Sequence, residues 1–81
     1  MKKNNLKFSE MPTFIKVEFV HTDIVFHLSD KNIITIPLSC IDLLKNATHE
    51  VRENYKIQGH FIFWDDIDEI IGVKNLLNGT F

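Results

Sequence analysis

Between residues 14 and 37 the chain keeps a two-residue hydrophobic period, broken only by two short polar stretches, and such a pattern folds as antiparallel strands joined by tight turns. Ile15, Val17 and Phe19 alternate with Lys16 and Glu18, and Ile24, Phe26 and Leu28 alternate with Val25 and His27. Successive side chains of a strand point to opposite faces, so each run buries one row and leaves the other towards water. His21-Thr22-Asp23 and Ser29-Asp30-Lys31-Asn32 carry the turns. Ile33 to Pro37 supplies a third strand rich in β-branched residues. Pro37 has no amide hydrogen, so it closes that strand or lies on an edge.

The period then changes. Ser39-Cys40-Ile41-Asp42 has the spacing of a capping box, and Ile41, Leu44 and Ala47 follow at helical steps. Thr48 can cap a second helical turn over His49 to Asn54, with Glu50 at its positive end. Tyr55 to Ile57 and Phe61 to Trp64 return to strand character around Gly59. Val73, Leu76 and Leu77 stripe a short terminal helix, with Gly79 as its C-terminal cap. Strands and helices segregated in this way predict an α+β fold with a small, mainly antiparallel sheet: three N-terminal strands, helical turns, one or two further strands and a short C-terminal helix.

Eighty-one residues hold one small domain, expected over residues 14–81 behind a basic arm of residues 1–13. A chain this short buries only about 60–65% of the surface its unfolded form exposes, which makes burial against a partner or a second copy favourable. Nine basic and eleven acidic residues leave a net charge of -2, so no global basic field draws the chain onto nucleic acid. The charge is uneven: Lys2, Lys3, Lys7 and Lys16 crowd the start, while Asp65, Asp66, Asp68 and Glu69 crowd the end. The single cysteine suits a reducing compartment, and no apolar run follows the basic start, so the expected location is cytoplasmic, with no membrane contact.

Three groups of residues together carry a resemblance: the paired-strand opening through Ser29-Asp30 to Thr35-Ile36-Pro37-Leu38; Ala47-Thr48 with Glu50, Arg52 and Tyr55; and Trp64-Asp65-Asp66-Ile67-Asp68-Glu69-Ile70-Ile71-Gly72-Val73 running into Leu76-Leu77-Asn78-Gly79. With them, residues 14–79 resemble the bacterial domain of unknown function 2442 family. The chain departs from the usual form of that family at Lys31 (commonly a turn glycine), Asp42 (commonly Pro), Tyr55 (commonly Trp), Ile70 (commonly a third acid) and Gly72 (commonly Ser or Thr). The resemblance implies a compact α+β unit, found alone or joined to a helix-turn-helix domain. It also implies a gene beside another small reading frame, in the manner of a toxin–antitoxin pair. It brings no catalytic residues, and none is assigned.

Asp65, Asp66, Asp68 and Glu69 admit three readings: a solvated turn whose carboxylates cap amides before the last helix, an acidic rim facing a basic partner, or a metal or acid–base site. The order of a calcium loop is missing. His21, His27, His49 and His60 lack metal-site spacing, and Cys40, between Leu38 and Ile41, reads as a small core residue. Neither a metal nor a cofactor is expected. Phe61, Phe63 and Trp64 could stack bases, but their neighbours are acids, and core packing with one indole at a rim fits better.

These readings converge on a non-enzymatic protein-interaction module, antitoxin-like or regulatory. Its partner is another small protein, such as a toxin encoded nearby, or a second copy of itself. The expected contact surface is an open strand edge with Phe14, Val20, Trp64 and Phe81, rimmed by Asp65, Asp66, Asp68 and Glu69. The alternative is an accessory nucleic-acid-binding regulator using Lys2, Lys3, Lys7 and Lys16.

Overall fold

The computed structural model describes residues 11–81. It is the α+β fold that the segregated pattern predicts, but in place of one small sheet with one or two later strands it has two antiparallel three-stranded sheets, the second built from three later strands. The first sheet joins β1 (Phe14–Val20), β2 (Asp23–Leu28) and β3 (Ile33–Pro37) in sequence order. A short 3-10 turn (Leu38–Cys40) and two short helices, α1 (Asp42–Lys45) and α2 (His49–Glu53), lead to the second sheet. That sheet joins β4 (Lys56–Gln58), β5 (Phe61–Trp64) and β6 (Glu69–Gly72), and α3 (Val73–Asn78) follows.

In β2 the alternation holds: Ile24, Phe26 and Leu28 are buried. In β1 it does not. The register with β2 slips between Phe14 and Lys16, so Ile15 is the extra residue of a bulge. The inward row becomes Phe14 and Val17, and Ile15, expected inside, is 57% exposed. Pro37 ends β3 on the sheet edge, where its missing amide costs no ladder bond. The open side of β1 is closed by other means. Phe14 N–H donates to Gly59 O at 3.1 Å, and the Tyr55 hydroxyl lies 3.3 Å from both the amide and the carbonyl of Val17. One core therefore runs from Phe26 and Leu28 under the first sheet to Ile62, Trp64 and Ile71 under the second.

The capping box expected at Ser39 does not form. Ser39 lies inside the 3-10 turn, and the N-cap of α1 is Ile41, whose side chain has no oxygen with which to cap. Asp42 still supplies an acid in the first turn of α1. Thr48 does cap α2: its Oγ1 accepts from Val51 N–H at 3.2 Å. The C-terminal end of α1 is held by Arg52, whose Nε donates to Leu44 O and whose Nη2 donates to Lys45 O, each at 2.9 Å. Cys40 is exposed, which corrects its reading as a core residue: within its turn, Leu38 is the buried residue.

On the outer face of the first sheet, Glu18 accepts from His27 Nε2 at 2.7 Å and lies 3.8 Å from Lys16 Nζ. The His27 hydrogen bond first, and the Lys16 charge second, hold its carboxyl below the ordinary glutamate range. A depressed carboxyl stabilises the fold while ionised. Its contribution is present above the unfolded glutamate pKa and lost as pH falls through the lowered folded one. Replacing His27 by Phe should return the Glu18 titration, followed by carboxyl carbon NMR, towards the ordinary range; an unmoved titration contradicts the account.

Lys31 adopts φ +74°, a left-handed conformation unfavourable for a side chain bearing a Cβ. Lys31→Gly should raise the unfolding free energy by about 0.5–1 kcal/mol, read as a higher urea midpoint; an unchanged or lower midpoint argues otherwise. Arg52→Lys keeps the charge but loses the planar fork. It should cost about 1–2 kcal/mol, close to the loss for Arg52→Ala, whereas a lysine variant of native stability would mean that charge alone suffices.

Candidate functional site

The site grows from the end of β5. Ile62 and Trp64 point into the core, which by strand alternation sends Phe61 and Phe63 to the outer face of the second sheet. Trp64 is fully buried, and its Nε1 donates to Arg52 O at 2.9 Å. Directly after it, Asp65–Ile67 form a 3-10 turn and Asp68 takes φ +57°, a left-handed conformation that aspartate tolerates better than most residues. The chain thereby reverses into β6, whose Ile70 pairs with Phe63 and whose Gly72 pairs with Phe61. Lys56, Phe63 and Ile70 thus form one cross-strand row on the outer face, and Gln58, Phe61 and Gly72 form the next. Ile70 is 61% exposed and Phe61 41%.

Gln58, Phe63, Trp64, Asp65, Asp68, Glu69 and Ile70 line an open cleft of about 360 Å³ at this end of the sheet. The acids divide by role. Asp65 Oδ2 accepts from Lys56 Nζ at 2.8 Å, and this bond, together with the charge of Asp65, raises the Lys56 pKa above its ordinary value. Asp66 accepts from Asn54 Nδ2 at 3.1 Å and does not line the cleft. Asp68 and Glu69 line it, and their carboxylates have no hydrogen-bond or ion-pair partner among the described residues. The acids do lie in an exposed turn, but they cap no helix: Asp65 and Asp66 bond side chains, and β6 separates them from α3, whose N-cap is Gly72.

Of the apolar contact residues expected from sequence, Phe14 and Trp64 are core, 4% and 0% exposed, and neither side chain can meet a partner directly. The bulge turns Phe14 inward, and the bond to Arg52 O holds Trp64 there. Val20 and Phe81 are exposed, but neither lines the cleft. Phe61 and Phe63 reverse the expectation of buried phenylalanines with an indole at the rim: the indole is inside and Phe61 outside. The signal was available in the alternation of Phe61 and Phe63 with Ile62 and Trp64. Ile70 was hidden, because its place on the face depends on pairing with a strand that the acidic run disguises.

Lys16 is exposed on the first sheet beside Glu18, and Lys2, Lys3 and Lys7 lie outside the described residues. His60 Nδ1 lies 3.1 Å from Pro12 O, and His27 meets Glu18. Among the described residues no three His, Cys, Asp or Glu side chains gather where they could hold a metal ion, and no helix is long and apolar enough to cross a membrane.

No curated protein and no solved structure matches the chain. A family model does: the family described as "Protein of unknown function (DUF2442)" matches residues 14–81, from the first residue of β1 through the acidic turn to the C-terminus. This chain, with its paired sheets and its Trp64-to-Gly79 closing segment, belongs to the DUF2442 family.

Proposed function

We propose that this chain is a small protein-interaction module, regulatory or antitoxin-like, which binds a partner protein through an open strand edge and the acidic segment 65–69. One juxtaposition supports the reading above all. Asp68 and Glu69, without partners among the described residues, stand on the rim of a cleft whose walls include Phe63 and the exposed Ile70. An apolar pair open to water, Phe63 and Ile70, favours being covered, and unpaired carboxylates beside it favour a basic partner while repelling phosphate.

The nucleic-acid alternative has less behind it. Lys16 lies 3.8 Å from the Glu18 carboxylate on its own strand, and the unpaired carboxylates at the cleft repel phosphate.

The test is capture from lysate of the native host with the tagged chain, with and without nuclease. A variant carrying Asp68→Asn and Glu69→Lys serves as the control. A stoichiometric protein that survives nuclease and is lost with the variant is the expected result. Recovery that depends on nucleic acid, or equal capture by both chains, contradicts the reading.

A further inference from the structure

We infer that the cleft takes an extended segment in which Lys or Arg alternates with aliphatic or aromatic residues, and that this segment adds as a strand along the outer edge of β6. The inference rests on the interaction-module reading and specifies the partner's chemistry. Val73 N–H donates to His60 O at 2.9 Å, and in an antiparallel ladder bonded and non-bonded pairs alternate. Ile71 with Ile62 and Glu69 with Trp64 are therefore the bonded pairs. Ile70 turns its N–H and C=O away from β5, towards the side of β6 where the second sheet ends. A strand edge of this kind accepts an extended segment through main-chain hydrogen bonds, while the side-chain neighbours choose which segment.

Those neighbours differ between the two faces of the strand. Ile70 shares the outer face with Phe63, whereas Glu69, one residue earlier, is directed to the opposite side, and both line the cleft. A strand laid beside them presents its two rows to one apolar and one acidic neighbour. Alternating basic and apolar residues satisfy both, and Asp68 at the end of the cleft adds a second carboxylate. The edge of β3 offers no such choice, because Ile33–Pro37 carries no charged residue.

The direct test is fluorescence anisotropy with a labelled peptide alternating lysine and isoleucine, titrated with the full chain. The peptide is expected to bind, and an analogue with glutamate for lysine is not. Neutralising the rim with Asp68→Asn and Glu69→Gln should weaken binding about tenfold. Ile70→Pro removes the outward N–H without breaking the ladder and should abolish binding, while Ile70→Thr should retain it. N-methylating alternate peptide amides removes the reciprocal donors to Ile70 C=O on the native chain, and one of the two registers should abolish binding while the other retains it. Equal binding of the acidic peptide, or full binding of both N-methylated registers, overturns strand addition between rim and edge. Failure of these peptides while the lysate experiment still yields a rim-dependent protein overturns this inference alone; peptide binding without such a protein removes the module reading instead.

Discussion

Trp64 turned inward is the constraint on which the rest of the molecule depends. A fully buried indole removes a large apolar surface from water, and truncating such a residue costs about 3–5 kcal/mol in a protein core. Its one polar atom is satisfied by Arg52 O, and the guanidinium of that same Arg52 holds the last carbonyls of α1. The Tyr55 ring tilts against the indole at 6.3 Å, and its hydroxyl reaches Val17 on the first sheet. One ring thus connects both helices of the middle segment to both sheets, which matters in a chain too short for a second core.

The surface features follow from that inward turn. With Trp64 inside, its neighbours in β5 must face out, and the chain must reverse within Asp65–Asp68 to lay down β6. Polar residues suit that reversal because the turn stands in water, and an aspartate accepts the left-handed position at its end. The acids therefore gather at the rim of an apolar face as a consequence of how the sheet closes. Lys56 pairs with Asp65, and Asp66, bonded to Asn54, lies outside the cleft, so the cleft carboxylates without partners among the described residues are those of Asp68 and Glu69.

Much of the architecture was legible in the residues. The hairpins, the Thr48 cap, the placement of Pro37 and the left-handed Gly79 all arise from local chemistry that a short window contains. What was not legible depends on pairing over distance. The bulge at Ile15 interrupts an alternation that reads as unbroken, because Phe14 bonds Gly59 far along the chain. β6 is four residues long and starts on an acid, so it resembles the end of a turn until Phe63 and Ile62 pair with it. The site divides in the same way: the four acids stand out as a run, whereas Phe63 and Ile70 become neighbours only through the register of β5 with β6.

The measurement that bears most directly on this account is amide hydrogen exchange of the chain alone and in complex with its captured partner. Protection is expected to appear at Ile70 and through the Asp65–Glu69 turn, with the edge of β3 unchanged. Protection confined to Ile33 and Thr35, with residues 65–72 exchanging as in the isolated chain, would contradict it.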